Sequence, residues 1–516
     1  MLASGLRMRV VAVCCLVVFG SLSAGWAQVA VTTWHYDNGR TGANPNETIL
    51  TPQNVNSTDF GKLFTQPVDG AIIGQALYLP SVTIPKLGVH NVVYVATMHD
   101  SVYAFDADNA TGKNANPLWH TSFLKAGVTT VPIATQGCAT TTRWTEVGIV
   151  STPVIDPVAG TIFVVAKTYE KSAFVHRLHA LDVTTGLEKT GSPVVIAASY
   201  QGNGQNNVFA DAMQVNRPAL LLENGNIYIA FGSNGCRGSR ESGWVIAYDA
   251  STLEPAGAFD DEPGDSAAAI WMRGGGLSSD SSGYIYGATA DGDFAAGTEF
   301  GQSVIKLSQN GSQLQLADWF TPYNELYLDQ NDLDMSEPVL VLPQQAGKHP
   351  DLAVALGKEG TIYVLNRDKM GHFCATCTTK DTQVVQELPG FAPEPGALVY
   401  WNNTIYTSGG QSQIKALSLT NGLLSKTPFA VTKNTTYGHS PVISANGTTD
   451  GILWQVYSTY MAAYDAVTLV KVYSNTQAPS GRDALPALSH FANFMVANGK
   501  FYVGGTSALA VYGLLK

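Results

Sequence analysis

The chain has 516 residues, 45% hydrophobic and only 13% charged, which is enough apolar material for a large core. It carries 29 basic and 40 acidic residues, a formal net charge of -11, and no stretch rich in Lys and Arg. Phosphate binding needs a basic face, so this composition argues against nucleic acid as a partner.

The N-terminal residues are typical of a secretory signal. Arg7 and Arg9 precede an apolar run from Val10 to Gly20, and small residues follow as far as Ala27. This run is too short to span a membrane, and no other stretch of the sequence is long and apolar enough to do so. We therefore expect residues 1–27 to be removed and the mature protein to be exported, to the periplasm or out of the cell.

Residues 28–58 form an extension that does not repeat elsewhere in the chain. They include the run from Trp34 to Arg40 and many Asn, Thr and Pro residues. We expect this extension to lie over the outside or one mouth of the folded domain. The next segment, Phe60 to Val68, has the pattern of a single strand with no neighbouring partner strand.

One pattern recurs eight times in the rest of the chain. Each copy has an opening with Pro or Gly, two β-branched or aromatic strands, and a turn. The clearest copies are Asn91–Asp106, Thr161–Asp182, Asn226–Asp249 and Ile452–Asp465, and the weaker ones are Tyr284–Leu307, Asp351–Asn366, Thr404–Ser418 and Lys500–Tyr512. Such units cannot bury their own apolar faces, and radial stacking gives a β-propeller. The sequence predicts an all-β domain over residues 59–516, an eight-bladed propeller of four-stranded antiparallel blades.

The two ends of this domain indicate how the ring closes. The eighth copy stops at Lys516 after its third strand, whereas Phe60 to Val68 is a strand in need of a sheet. We expect the N-terminal strand to complete the last blade, which would remove open sheet edges.

Four cysteines remain after the predicted signal. Because an exported protein meets an oxidising compartment, disulfides are expected. Cys138 and Cys236 lie in loops of neighbouring repeats, so a bridge between them would tie blades 2 and 3. Cys374 and Cys377 form a tighter pair that we interpret as a loop clip. A redox or zinc role for this second pair lacks the second ligand pair and the helix start that such chemistry uses.

The openings of the copies predict a binding site. Innermost strands of a propeller line its central channel and begin at one mouth, so polar residues at their starts should converge. These residues are Gln75, Thr152, Arg217, Glu337 and His439, with Lys358 nearby. Convergent polar groups around a cavity are typical of a small-molecule or protein-binding site. The alternative is that they satisfy one another and trapped water.

An acidic run from Asp329 to Asp334 offers the oxygen atoms that Ca²⁺ prefers. It lacks the Gly and the distal Glu of an EF-hand loop. We therefore interpret the run as a solvated loop and predict no metal site.

Two segments resemble a known family. Ala104 to Trp119, with a second copy from Ala180 to Gly186, is similar to the tryptophan-docking repeat of quinoproteins, eight-bladed propellers that include pyrroloquinoline quinone (PQQ) dehydrogenases. Gly357–Arg367 resembles the segment whose lysine reaches the quinone in those enzymes. Further segments resemble the exported bacterial PQQ-like repeat proteins, a branch without an assigned activity. They are Trp34–Gly42, Asp318–Asn324 and Val511–Leu515.

This resemblance implies PQQ with Ca²⁺, an Asp as general base, ligands for Ca²⁺ from Glu, Asn and Asp, and a cofactor held under an adjacent Cys–Cys disulfide. The only adjacent cysteines, Cys14 and Cys15, lie in the predicted signal. Where the base is expected the chain offers only Glu299 or Gln302, and Gln cannot take a proton. The catalytic residues therefore stay unassigned.

Our leading interpretation is a noncatalytic ligand- or protein-binding relative of the quinoproteins with a polar central funnel. The alternative is a periplasmic PQQ- and Ca²⁺-dependent alcohol or sugar dehydrogenase, in which Lys358 and Arg217 would hold the quinone oxygens. A lyase or hydrolase on the same funnel would need a nucleophile that the sequence does not define.

Overall fold

The computed structural model describes Met1 and residues 28–136, 144–233, 242–264, 268–393, 396–410, 412–434, 440–489 and 492–516. Three residues singled out from the sequence, Cys138, Cys236 and His439, lie outside these ranges. The bridge between blades 2 and 3 and the place of the histidine therefore stay predictions.

Eight small antiparallel sheets follow one another along the chain and confirm the predicted all-β, eight-bladed propeller. The innermost strands of blades 1 to 8 are Leu77–Ile84, Val154–Asp156, Leu221–Glu223, Ser278–Ser279, Leu340–Val341, Val399–Trp401, Val442–Asn446 and Phe494–Ala497. The second strands are Gly88–Thr97, Thr161–Glu170, Asn226–Ser233, Ile285–Ala288, Leu352–Leu356, Thr404–Thr407, Thr449–Tyr457 and Lys500–Gly504. The third strands are Ser101–Asp106, Ala173–Asp182, Trp244–Asp249, Val304–Asn310, Ile362–Asn366, Lys415–Thr420, Tyr460–Asp465 and Ala508–Leu514.

The outermost strands are shorter and more varied. In blades 1 to 7 they are Trp119–Ser122, Val194–Val195, Pro255–Asp260, Gln313–Thr321, Gln386–Leu388, the pair Leu423–Leu424 and Ala430–Val431, and Lys471–Ser474. In blade 8 the fourth strand is Phe60–Pro67, which pairs antiparallel with Ala508–Leu514. The last sheet therefore contains strands from both ends of the propeller chain.

Short additional elements decorate the blades. Val128–Pro132 and Glu146–Val147 extend blade 2, Gln214–Val215 extends blade 3, His372–Phe373 runs parallel to the outermost strand of blade 4, and Ala43–Asn44 runs parallel to the innermost strand of blade 7. Two hairpins are Ser199–Gly202 with Gln205–Val208 and Phe294–Ala295 with Glu299–Phe300. The described helices are the α-helix Glu325–Gln330 and the 3₁₀ turns Gly112–Ala115, Ile133–Gln136, Met272–Gly274, Asn475–Gln477 and Pro479–Gly481. None of the helices in the described ranges has the length and apolar character needed to cross a membrane.

The core lies between neighbouring blades, because each sheet is covered on both faces. Every residue of the second strand of blade 5, Leu352–Leu356, is buried. Trp119, at the end of the segment that resembles a tryptophan-docking repeat, packs between blades 1 and 2: its indole Nε1 donates to the Val183 carbonyl of blade 2 at 3.0 Å. That carbonyl is presented by a turn in which Asp182 accepts the backbone amides of Thr184 and Thr185.

Residues 31–44, here called the channel segment, bond to all eight innermost strands. Its backbone or side-chain partners, blade by blade, are Tyr78, Ile155, Leu222, Ser279, Val341, Tyr400, Ile443 and Val496. A chain of about 14 residues spans roughly 50 Å at most. Each blade is four strands wide, and neighbouring strands lie about 4.8 Å apart. A segment of roughly 50 Å is therefore too short to run around the outside of eight such blades. The segment therefore lies inside the channel.

The expectation that the extension lies over the outside or a mouth is wrong for the channel segment. The physical reason is that innermost strands present an unpaired edge of amides and carbonyls to the channel, and the segment satisfies these groups. We call the end of the channel where innermost strands begin the upper mouth, and the end where turns join first and second strands the lower mouth.

Both ends of the channel segment lie at the lower mouth. Just before it, the Val29 backbone amide donates to the Asn498 side chain at 3.0 Å, and the Asn498 side-chain amide donates to the Val29 carbonyl at 2.9 Å. Just after it, the Glu47 carboxylate accepts the Gly499 amide at 2.9 Å. Asn498 and Gly499 form one of the turns of that mouth, and a cavity of about 920 Å³ there is lined by residues just before and just after the segment, 28–30 and 45–49. The segment thus enters and leaves by one opening.

Candidate binding site at the upper mouth

Trp34 of the channel segment forms the floor of the upper mouth. Its side chain is fully buried against Ala219 of blade 3 and Ala397 of blade 6. Its Nε1 donates to the Asn493 side chain of blade 8 at 3.1 Å. Because these partners come from well-separated blades, the indole crosses the channel. The His35 ring stacks on it with a centroid distance of 3.5 Å.

Gln75 and Thr152, which the sequence predicts to converge, are in contact. Both are buried, and the backbone amide of Gln75 donates to the Thr152 hydroxyl at 2.8 Å. The Gln75 side chain accepts the His35 amide and donates to the Thr33 carbonyl, each at 3.2 Å. Its polar atoms therefore bind the channel segment.

Arg217 and Glu337 contact the same residue, Arg273. The Arg217 guanidinium donates to the Val150 carbonyl at 3.1 Å and to the Arg273 carbonyl at 3.3 Å. The Arg273 Nε lies 2.7 Å from a Glu337 carboxylate oxygen. Burial lowers the pKa of Arg217 to about 9. Arg273 and its neighbour Met272 both have positive φ, a costly backbone that aims the Arg273 side chain at Glu337.

Lys358 lies between two carboxylates. It is on the turn between the second and third strands of blade 5, and its Nζ donates to Asp332 and to Asp334. The Asp334 side chain is 3% exposed, whereas that of Asp332 is 83% exposed. Burial alone would lower the pKa of Lys358, but the charge of Asp334 and the bond to Asp332 raise it above its usual value.

Asp291 completes a group of three carboxylates at this position. It lies on the loop between the second and third strands of blade 4, and its oxygen is within 4.8 Å of oxygens of Asp332 and Asp334. Burial, followed by the charge of Asp334, raises the pKa of Asp291 to about 7. Gln302 donates its side-chain amide to Asp334 at 3.1 Å. We call Asp291, Asp332 and Asp334 the acidic cluster.

The sequence interpretation of the acidic run as a solvated loop holds for Asp332 and is wrong for Asp334. Asp334 is buried because it precedes the innermost strand of blade 5 and faces Lys358 and Gln302. A signal was present in the sequence. Leu333 and Met335 alternate with the two acids, which is typical of an extended segment that places both carboxylates on one side. Asp291 had no such signal, because its loop is irregular.

The residues considered for a base differ in position. Gln302 is buried and accepts the Met335 amide at 3.1 Å, so it supports the acidic cluster. Glu299 lies on a surface hairpin and accepts the Asn203 side chain at 2.9 Å. Neither side chain is arranged as a proton acceptor in the channel.

Asp100, on the turn between the second and third strands of blade 1, is a further buried carboxyl at the upper mouth. It is fully buried, and neither of its carboxylate oxygens meets a hydrogen-bond donor in good geometry within the described ranges. Burial, followed by the charge of Glu146, raises its pKa well above the usual range.

The Cys374–Cys377 disulfide predicted as a loop clip is confirmed. It follows His372–Phe373, which pairs with the outermost strand of blade 4. The disulfide therefore lies at the outer edge of the propeller and takes no part in the upper mouth.

Most of the chain superposes on solved quinoprotein structures. A quinohemoprotein alcohol dehydrogenase from Pseudomonas putida HK5 gives a TM-score of 0.60 at 13% identity, covering 94% of this chain and 80% of that one. The quinohemoprotein alcohol dehydrogenase from Comamonas testosteroni gives 0.60 at 13%, covering 95% and 81%. A europium-containing methanol dehydrogenase gives 0.57 at 13%, covering 94% and 98%. The chain shares the fold of these quinoproteins. No protein-family profile and no curated protein sequence matches it.

The quinoprotein resemblance of the sequence implies PQQ and Ca²⁺, and the side chains of the upper mouth can be compared with what these two groups require. The three carboxylates of the acidic cluster are ligands that Ca²⁺ prefers, but the ammonium of Lys358 already lies between two of them. An anionic quinone needs cationic partners. Arg217 is bonded to carbonyls, and Arg273 is paired with Glu337. The side chains as arranged do not fit either group.

Proposed function

We propose that this protein is an exported, noncatalytic relative of the quinoprotein dehydrogenases that binds a ligand or partner protein at the upper mouth. One observation carries the proposal. The cations around the mouth, Lys358, Arg217 and Arg273, are bonded to groups of the protein itself. Cations that are already bonded to the protein's own oxygen atoms are not placed to hold a quinone, which supports recognition rather than redox chemistry.

The exposed rim of the mouth indicates what kind of partner would fit. Asp332 extends into solvent, and the neighbouring helix Glu325–Gln330 exposes Leu326 and Tyr327, at 59% and 55%. The acidic cluster has three carboxylates for the single ammonium of Lys358, so the rim keeps a negative excess in a chain of net charge -11. A basic partner with some apolar surface is complementary to this rim.

A labelled octalysine peptide tests the rim directly. We expect it to bind at low salt, and Asp332→Asn to weaken binding at least threefold because an exposed carboxylate is lost. Asp450→Asn, at the start of the second strand of blade 7 near the lower mouth, is the matched control and should leave the affinity unchanged. Equal affinities of the two variants and the wild type would contradict the assignment of the binding face.

A PQQ- and Ca²⁺-dependent dehydrogenase is the second candidate, favoured by the acidic cluster next to Lys358. Incubation of the whole protein with PQQ and Ca²⁺, followed by dye-reduction assays over alcohols and aldoses, separates the two functions. We expect no retained quinone after gel filtration and no turnover. Quinone-dependent dye reduction would replace the noncatalytic proposal with this one.

Export is part of the proposal, supported by the basic and apolar pattern of residues 1–27. N-terminal sequencing of the protein from the producing cells tests it. We expect the chain to begin near Gln28, and an intact Met1 on most molecules would contradict export by this signal.

A further inference from the structure

Hydrogen bonds to the backbone amide and to the side-chain ammonium fix the position of Lys358 within the acidic cluster. Its backbone amide donates to the Asp334 carbonyl at 2.9 Å, and its Nζ donates to the Asp334 and Asp332 carboxylates. The turn that carries it closes through a 2.9 Å bond from the Gly360 amide to the Gly357 carbonyl. The backbone amide and the side-chain ammonium of Lys358 are therefore bonded to the same acidic segment.

The turn geometry keeps the lysine stem close to Asp334. Gly360 has φ of 91°, a conformation that glycine adopts without strain, and a Cβ on Gly357 would come within 3.0 Å of the Met335 sulfur. The Lys358 side chain is 17% exposed, so its ammonium group is largely withdrawn from solvent. A bulkier turn would hold the ammonium farther from the carboxylates.

The oxygens of Asp334 are both used. One oxygen accepts Lys358, and the other accepts the Gln302 side-chain amide at 3.1 Å. A divalent cation at the acidic cluster would have to replace these donors and would lie close to the ammonium, which repels it. An ammonium has no vacant coordination position for a substrate or a water molecule, whereas a bound metal ion keeps such positions.

We propose that Lys358 is a tethered cation that takes the place of the divalent ion in the acidic cluster and excludes metals from it. The upper mouth is then held in shape without any added ion. Lys358 is accordingly the residue that determines ion specificity here, and its removal should create a metal site. The inference does not depend on which ligand the mouth binds, because it concerns the occupancy of the cluster only.

The test measures Ca²⁺ binding by calorimetry and Tb³⁺ binding by luminescence for the whole protein. We expect weak binding by the wild type and at least tenfold tighter binding by Lys358→Met, which keeps the stem and removes the charge. Lys500→Met is the matched control. It removes another Lys–Asp pair, with a 2.6 Å contact to Asp108, at a site where the described residues form no group of three carboxylates. Its affinity should equal that of the wild type.

Two binding results would overturn the proposal. One is wild-type Ca²⁺ binding as tight as that of Lys358→Met and lost in Asp334→Asn, which would make the cluster a metal site with the lysine as a companion. The other is equally weak binding by the wild type and a folded Lys358→Met. If Lys358→Met does not fold, Lys358→Gln replaces it. Saturating Ca²⁺ should also leave the wild-type melting temperature unchanged, and an upward shift abolished by Asp334→Asn would contradict the proposal.

These outcomes are separate from those of the function test. Octalysine binding reports on the exposed rim, and metal binding reports on the ammonium position. A protein that binds octalysine and takes up Ca²⁺ in the wild type would retain the proposed function and lose the tethered cation.

Discussion

The channel segment and the upper mouth accommodate buried charge in different ways. Arg40 of the channel segment is 1% exposed and donates to neutral oxygens, including the Leu277 carbonyl at 2.8 Å and the Leu220 carbonyl at 3.3 Å. Lys358 at the mouth is paired with carboxylates, one of them exposed. Burial lowers the pKa of Arg40 to about 10 even though Asp37 opposes the effect.

The two arrangements differ in whether the groups that bond the buried cation can change their charge or their partner. Carbonyls of blades 3 and 4 have no protonation state to change, so the bonds of Arg40 are permanent while the protein is folded. Carboxylates exchange partners with protons, ammonium groups and ions. We therefore expect the channel to behave as part of the core. We expect the mouth to be the region where pH and added ions change the protein.

Arg40→Ala should have the largest effect on stability. It removes bonds to the Leu220 and Leu277 carbonyls and to the Thr33 hydroxyl, and leaves a cavity in the channel. We expect a loss of about 3–5 kcal/mol in the free energy of unfolding, measured by urea denaturation. Arg177→Ala, which breaks a pair with Glu170 whose side chains are 26% and 22% exposed, is the control and should cost about 0–1 kcal/mol. Similar losses for the two variants would mean that the channel segment is not part of the core.

Gln75→Ala should have an intermediate effect. The change leaves the His35 amide and the Thr33 carbonyl without their side-chain partner inside the channel. We expect a loss of about 1–3 kcal/mol, read from the same denaturation curves. Gln315→Ala on the outermost strand of blade 4 removes an exposed glutamine and should fall within about 0.5 kcal/mol of the wild type. If Gln75→Ala lost no more stability than Gln315→Ala, the Gln75 side chain would not hold the channel segment and would be free to bind ligand at the mouth.

The repeats predicted the blades well because each copy carries its own evidence. The run Asn226–Asp249 contains both strands of a hairpin and the Asp that starts the next turn, and the structure contains those elements at those residues. Local pattern and turn chemistry agree throughout such a unit. The strand Phe60–Pro67 could be recognised because it lacked a partner.

The channel segment and the acidic cluster could not be predicted in the same way. The channel segment binds strands spread over the whole chain, from Tyr78 to Val496, and no local pattern encodes eight distant partners. Asp291 and Lys358 meet only because blades 4 and 5 are neighbours. In both cases the missing information is the relative position of loops, which is set by the radial packing of the sheets.

Asp100→Asn should have the smallest effect and the opposite sign at neutral pH. Because the folded state raises the pKa of Asp100, its contribution to stability is present below the unfolded-state pKa of about 3.9 and is lost as pH rises through the folded-state value. Asn is neutral at every pH and tolerates the positive φ of 51° at this position. We therefore expect the variant to be more stable than the wild type by about 1 kcal/mol at pH 8 and equal to it at pH 4, in urea denaturation at both values. A variant that is less stable at pH 8 would show that the Asp100 carboxylate is charged and paired in the folded protein, so that the mouth, like the channel, satisfies its buried groups.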